Sequence, residues 1–102
     1  MDSQMKKGVV EMALLWMIGR EETYGYDLLG RLSGRIPGMQ ERVIYAILRR
    51  LCDNGYTETF SGTVSGGPVR KYYRLTPAGQ ARLRELRESW EALRQFVEEL
   101  GI

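Results

Sequence analysis

The sequence predicts a mainly α-helical fold with a single β-hairpin, in the order helix, helix, helix, hairpin, long helix. Residues 41–54 have apolar side chains at helical spacing on one face. Residues 56–75 form two β-rich stretches around a glycine-rich turn, and residues 77–100 repeat apolar side chains every three or four positions. This order is that of a winged helix-turn-helix, with the hairpin as wing and one long C-terminal helix added.

Length and composition restrict the class of protein. A chain of 102 residues with 43% apolar residues is typical of one globular domain, so we expect a single compact unit. A core of this size is modest, and association with a second copy would bury more apolar surface. One cysteine, Cys52, and no histidine exclude an internal disulfide and a zinc site built from these ligands. No cofactor is expected, and a reducing, cytoplasmic setting is the default.

The first predicted helix contains the apolar run of residues 9–18, which follows Lys6 and Lys7. Two lysines before such a run are typical of a signal peptide, but Glu11 interrupts the run and no small-residue cleavage site follows it. The run is also shorter than the ~18 apolar residues that span a bilayer, so we expect no membrane segment. A helix that is apolar almost all round must be covered on more than one side, by its own domain and by a partner subunit or an apolar ligand.

The next segment predicts a helix-turn-helix. A second, short helix is expected over residues 23–32, because Leu28, Leu29 and Leu32 recur on one side of it. Pro37 fixes φ and the glycine after it permits unusual backbone angles, so the chain turns there. A helix, a tight connection and the helix of residues 41–54 then follow one another.

The third predicted helix has two different faces. Ile44, Ile47, Leu48 and Leu51 form the apolar face, and Arg42, Tyr45, Ala46, Arg49 and Asp53 form the opposite one. Guanidinium groups bind phosphate, or the O6/N7 edge of guanine, with two parallel hydrogen bonds, so the polar face suits a nucleic-acid groove. An ordinary solvated helix would show the same pattern, and the neighbouring elements decide between the two interpretations.

The hairpin is predicted from two β-rich stretches, residues 56–61 and 69–75, joined by turn-forming residues. The second stretch carries Arg70, Lys71 and Arg74 interleaved with two tyrosines. Beside the third helix, such a strand would extend a positive surface along a phosphate backbone.

The distribution of charge supports a surface for polyanions. Residues 31–76 contain eight basic and three acidic residues, a net charge of +5, although the whole chain carries only +2. Residues 1–30 and 77–102 are both slightly acidic, so the positive charge belongs to the middle of the chain. This pattern favours a single polyanion-binding surface over an evenly charged, soluble exterior.

The last predicted helix begins at Thr76-Pro77, an N-cap followed by proline at the first helical position. Its apolar residues follow a heptad spacing and form a candidate dimer interface: Leu83, Leu86, Trp90, Leu93, Val97 and Leu100. Packing of this stripe on the first helix of the same chain is the alternative for part of it. The apolar first helix and the heptad stripe together favour a homodimer.

Three motifs of the chain resemble one known family. They are Tyr24-Gly25-Tyr26-Asp27-Leu28, Ile44-Tyr45-x-x-Leu48-x-Arg50-Leu51-x-x-x-Gly55 and Gly67-x-x-Arg70-Lys71-Tyr72-Tyr73-x-Leu75-Thr76-x-x-Gly79. In this order and spacing they resemble the PadR family of winged-helix transcriptional regulators, and the match covers nearly the whole chain. The single long C-terminal helix is similar to the compact branch of the family, which includes regulators of multidrug efflux.

The resemblance implies a homodimeric repressor that binds a double-stranded DNA operator. Residues 1–76 would form the DNA-binding domain, with the first helix also in the dimer interface, and residues 77–102 the dimerisation helix. Carried over by position, the candidate DNA-binding residues are Tyr26, Glu41, Arg42, Tyr45, Arg49, Arg70 and Lys71. Tyr72, Leu75 and Gly79 would hold the wing and the last helix in place. Residues 40–43 depart from the family, in which small residues are more usual there, so base readout is the least transferable part.

The resemblance also implies a ligand site. Compact multidrug-type members place a tryptophan of the last helix in an apolar pore between subunits, where flat cationic compounds stack. Trp90 lies at a similar distance from the wing motif, and Met12, Leu15 and Trp16 of the first helix could add to such a pore. A small apolar or cationic effector would then change DNA affinity by altering the dimer geometry. The alternative is that both tryptophans only fill the dimer core.

Two other classes of function compete with a DNA-binding regulator. A winged helix can hold a protein partner without binding DNA, because fold does not determine function. An enzyme is disfavoured, since the chain has no histidine for general-base catalysis, no nucleophile elbow and no phosphate loop. For Cys52, packing near the end of the third helix is favoured over redox sensing.

Overall fold

The computed structural model describes residues 3–63 and 66–102. The elements follow in the order α1 (Ser3–Arg20), β1 (Thr23–Tyr24), α2 (Gly25–Leu32), α3 (Glu41–Asp53), β2 (Thr57–Gly62), β3 (Arg70–Leu75) and α4 (Pro77–Leu100). The predicted fold class, a winged helix-turn-helix with one long C-terminal helix, is confirmed. Within the described residues, none of the helices is both long enough and apolar enough to cross a bilayer.

The wing belongs to a three-stranded antiparallel sheet in the order β1-β3-β2. The predicted hairpin of β2 and β3 is present, and residues 64 and 65 at its tip lie outside the described residues. The first strand differs from the sequence prediction, in which residues 23–24 begin the second helix. Instead, Thr23 and Tyr24 pair with Tyr73 and Tyr72 of β3. A strand of two residues is too short to show an alternating pattern in a sequence.

The hydrophobic core lies between α1, α2, α3 and the inner face of the sheet. It consists of Val10, Leu14, Leu15, Ile18, Leu28, Leu29, Leu32, Ile44, Ile47, Leu48, Leu51 and Tyr73. All four residues of the predicted apolar face of α3 are buried, so the two-faced helix is confirmed. Leu15 is 0% exposed. This burial corrects the expectation that Leu15 lines a ligand pore, because its side chain points to the interior of its own domain.

The start of α4 is held against the turn that follows α3. The Thr76 hydroxyl donates to the Gly55 carbonyl at 2.6 Å and accepts from the Gly79 amide at 3.0 Å, which makes Thr76 the N-cap. The Thr76 amide donates to the Tyr56 carbonyl at 3.1 Å. A Cβ atom on Gly79 would lie 2.0 Å from that same carbonyl oxygen, so only glycine permits this approach. The orientation of α4 is therefore fixed at its first turn.

One buried carboxylate joins three helices. Glu11 of α1 is 8% exposed, and its Oε1 accepts a hydrogen bond from Nε of Arg82 on α4 at 3.0 Å. Its Oε2 lies 4.0 Å from Nη2 of Arg50 on α3. The hydrogen bond to Glu11 raises the pKa of Arg82 above its ordinary value. A buried charge is tolerated only when it is paired, so these contacts hold α1, α3 and α4 together.

We expect Gly79→Ala to lower the free energy of unfolding by about 3 kcal/mol, because the methyl group collides with the Tyr56 carbonyl and the backbone must move. Chemical denaturation followed by circular dichroism measures the change. The matched control is Gly30→Ala on α2, where an added Cβ meets nothing within 4 Å and helix propensity should rise. Equal stability of Gly79→Ala and the natural chain would show that the close approach is not required.

Candidate nucleic-acid interface

The outward face of α3 is basic and aromatic. Glu41, Arg42, Tyr45 and Arg49 are exposed on it, while the opposite face of the same helix is buried in the core. Within the described residues, neither Arg42 nor Arg49 lies within ion-pair distance of a carboxylate. Their charges are therefore available to an external anion.

The first turn of α3 holds Arg42 in a defined orientation. Nε of Arg42 donates to Oε1 of Gln40 at 2.5 Å, and Gln40 also accepts at its backbone oxygen from the amides of Val43 and Ile44. This contact uses the inner N–H of the guanidinium and leaves both terminal nitrogens free, which are the groups that bind phosphate or guanine in pairs. Gln40 was not identified from the sequence, because a glutamine two residues before an arginine is not diagnostic.

Two tyrosines connect α3 to the beginning of α2. Tyr26 is 73% exposed in the first turn of α2. Tyr45 lies across the start of the same helix, since a Cβ on Gly25 would be 3.4 Å from Cε1 of its ring. The absence of a side chain at Gly25 therefore lets Tyr45 pack there. This places the candidate residues of α2 and α3 on adjoining segments.

The wing presents Arg70 and Lys71 on opposite sides of β3, because neighbouring side chains of a strand alternate. Lys71 is exposed on the side that also carries the core residue Tyr73. The Arg70 guanidinium lies over the ring of Tyr24, with 4.5 Å between Cζ and the ring centroid. Neither cation of the wing is within ion-pair distance of a carboxylate of the described residues.

Arg74 does not belong to the free positive surface that was expected along β3. Its Nε lies 2.7 Å from Oε2 of Glu22, its Nη1 lies 3.7 Å from Oε1 of Glu58, and its guanidinium stacks on Phe60. The hydrogen bond to Glu22 raises the pKa of Arg74 above its ordinary value. Because two carboxylates neutralise this arginine, the expectation is corrected to Arg70 and Lys71 alone.

The apolar stripe of α4 divides into two parts. Leu83 and Leu86 are partly buried against the core of their own chain, which was the alternative for part of the stripe. The other residues of the stripe are exposed, with exposed fractions of 45% for Trp90, 62% for Leu93, 42% for Val97 and 57% for Leu100. Phe96, which is not part of the heptad pattern, is also exposed, at 56%. The second half of α4 therefore has an apolar surface that its own chain does not cover.

A groove-shaped cavity of about 1040 Å³ lies between α1, the end of α2 and α4. Three of the four predicted ligand residues line it: Met12, Trp16 and Trp90. The charged residues that line the cavity are mostly basic: Arg31, Arg35, Arg84, Arg87, Glu88 and Glu91. A smaller apolar groove of about 240 Å³ adjoins it, and Met12 and Trp90 line both.

Comparison with known proteins identifies relatives along the whole chain. Residues 14–85 match the model of the transcriptional regulator PadR-like family. A PadR-like transcriptional regulator from Bacillus cereus is 37% identical, with 96% of each chain covered and a TM-score of 0.85. A Streptococcus transcriptional regulator is 33% identical over 99% of this chain and 100% of that one, with a TM-score of 0.88. An uncharacterized protein of Lysinibacillus sphaericus is 31% identical over 99 residues, covering 94% of this chain and 91% of that protein.

We expect Arg42→Ala and Arg49→Ala each to weaken binding of double-stranded DNA, because each removes a free cation from α3. The slope of log affinity against log salt should fall by about 1 for each phosphate that is no longer neutralised by an arginine. Fluorescence anisotropy with a labelled duplex at several salt concentrations measures both quantities.

The matched control is Arg31→Ala. Arg31 is already paired with Glu21 and Asp27 and lies at the opposite end of α2 from Tyr26. This change removes the same formal charge and should leave the affinity and its salt slope unaltered. An equal reduction of affinity in all three variants would indicate a dependence on net charge and not on α3.

Proposed function

The chain belongs to the PadR-like family, whose members are DNA-binding transcriptional regulators and not enzymes, and we propose that it acts as a homodimeric repressor controlled by a small molecule. The observation that supports the proposed DNA-binding surface is the pair Arg42 and Arg49, which are exposed on α3 and form no ion pair within the described residues, while the other face of the helix is buried. A regulator acts where the DNA is, so the cytoplasm is the proposed compartment.

In the proposed complex, α3 enters the major groove and the wing lies along the neighbouring phosphates. The two terminal nitrogens of Arg42 suit the O6/N7 edge of guanine, and Glu41 beside it can accept a hydrogen bond from the amino group of cytosine. Arg49, Tyr45 and Tyr26 would contact the phosphate backbone beside the groove. The two wing cations, Arg70 and Lys71, add phosphate contacts.

The proposed dimer is supported by the uncovered half of α4. Leu93, Val97 and Leu100 repeat at heptad spacing, are exposed in the single chain and adjoin the exposed Trp90 and Phe96. Monomeric proteins rarely expose apolar surface that is continuous in this way, and a second copy related by a two-fold axis would cover it. The dimer would also place two α3 helices at a fixed separation, as palindromic operators require.

The cavity between α1 and α4 supports the proposed effector site. Trp16 and Trp90 supply aromatic faces and Met12 a polarizable thioether, which together accept flat apolar molecules. Arg35, Arg84 and other arginines of the lining oppose the binding of a cation, so an uncharged aromatic compound is favoured over a cationic one. Preference for one dimer geometry by ~1 to 3 kcal/mol would change DNA affinity about 5- to 150-fold.

We expect Leu93→Arg to produce monomers, because it introduces a charge into the apolar surface of α4 without touching the core of the chain. Sedimentation velocity should show the natural chain at about twice the mass of the variant. Gln95→Arg, two residues further along the same exposed helix, is the matched control and should remain dimeric. A dimeric Leu93→Arg variant would exclude this surface as the interface.

We expect an uncharged planar dye to quench tryptophan fluorescence saturably in both Trp16→Phe and Trp90→Phe. Each variant retains one tryptophan, both rings line the same cavity, and phenylalanine preserves an apolar lining. The two titrations should therefore have similar midpoints. Quenching of only one of the two variants would contradict a shared site.

Repression itself is measured by transcription in vitro from a template that carries the DNA upstream of the gene. The protein alone should lower the amount of transcript, and the quenching dye should restore it at the concentrations found by fluorescence. An increase of transcript on adding the protein would identify an activator. Binding of the dye without a change in transcription would separate the cavity from regulation.

A further inference from the structure

Three aromatic rings form a row across the outer face of the sheet, one from each strand. Tyr24 of β1 lies beside Tyr72 of β3, and Tyr72 lies beside Phe60 of β2. Both pairs of ring centroids are 5.6 Å apart, the first in an edge-on arrangement and the second nearly parallel. Because side chains alternate along a strand, Arg70 and Arg74 lie on this same face of β3.

The row ends in an arginine on each side, and the two arginines differ in free charge. Cζ of Arg70 lies over the ring of Tyr24, 4.5 Å from its centroid, and Cζ of Arg74 lies over the ring of Phe60, 4.3 Å from its centroid. Arg74 is bound by two carboxylates, whereas no carboxylate of residues 3–63 and 66–102 pairs with Arg70. The two arginines therefore lie at similar distances from their rings, but only the charge of Arg70 is not compensated by a carboxylate of the described residues.

We propose that Tyr24 is a positioning residue for DNA binding, whose ring holds the Arg70 guanidinium on the outer side of the wing for contact with a phosphate. The inference rests on the proposed function, since it requires that the wing meets DNA. Contact with a ring uses none of the N–H donors of a guanidinium as hydrogen bonds to oxygen, so these donors remain available to a phosphate. Holding the long side chain in place beforehand reduces the entropic cost of binding.

The position of Lys71 adds to this argument. Lys71 lies on the other side of the same strand, so the wing has a free cation on each side. In the proposed complex the wing lies along phosphates, and a cation on each of its sides can meet a different one.

The test compares DNA affinity in Tyr24→Leu, Tyr24→Phe, Arg70→Ala and the double variant Tyr24→Leu/Arg70→Ala. Tyr24→Leu should lower the affinity about 5-fold and reduce the salt slope, whereas Tyr24→Phe keeps the ring and should bind as the natural chain does. In the Arg70→Ala background, Tyr24→Leu should cause no further reduction. Phe60→Leu removes the equivalent ring under the neutralised Arg74 and is the matched control, with affinity expected to be unchanged.

A second measurement uses the DNA-free protein. Because Cζ of Arg70 lies over the Tyr24 ring, the NMR signals of the Arg70 side-chain N–H protons should be shifted upfield, and the shift should disappear in Tyr24→Leu. Absence of that shift in the natural chain overturns the inference. So does an equal reduction of affinity by Tyr24→Leu with and without Arg70, which would indicate a general effect on the sheet. Failure of the natural chain to bind any duplex would instead refute the proposed function.

Discussion

The backbone of Tyr56 connects α3 and α4 through two hydrogen bonds. Its amide donates to the Leu51 carbonyl at 2.9 Å, at the end of α3, and its carbonyl accepts from Thr76 at 3.1 Å, just before α4. Gly79 permits this approach because it has no side chain. Since both hydrogen bonds involve one residue, we expect α3 and α4 to move together. In the proposed dimer, the angle between the two α4 helices would therefore determine the separation of the two α3 helices. That separation must match the spacing of the two half-sites of an operator.

Glu11 limits how an effector could act. If α4 slid along α1, the Glu11 carboxylate would separate from Arg82 and remain buried with only the more distant Arg50, which is strongly unfavourable. The arrangement of α1 and α4 within one chain is therefore expected to be rigid. The cavity lined by Trp16 and Trp90 opens beside this rigid pair. A ligand bound there would change the packing between subunits more readily than the fold of either subunit.

Elements with strong local signals were predicted correctly, and features that depend on distant contacts were not. Thr76-Pro77 and the helical spacing of apolar residues in α3 are local signals. The first marks the start of α4 and the second gives the buried face of α3, as expected. The first helix is apolar on nearly every side, so periodicity could not show that Leu15 faces the core while its neighbour Trp16 is exposed. Nor could the sequence show that Arg74 is bound by Glu22, a residue 52 positions earlier that the sheet brings beside it.

Residues 31–76 have a net charge of +5, but some of their cations are paired with carboxylates from other parts of the chain. Arg31 and Arg74 of this segment are each paired with two carboxylates, and a hydrogen bond to a glutamate raises the pKa of each above its ordinary value. The unpaired cations of α3 and the wing remain for an anion outside the chain. All of them are arginine or lysine, and the sequence contains no histidine. The proposed attraction to DNA should therefore depend on ionic strength and on the geometry of the dimer.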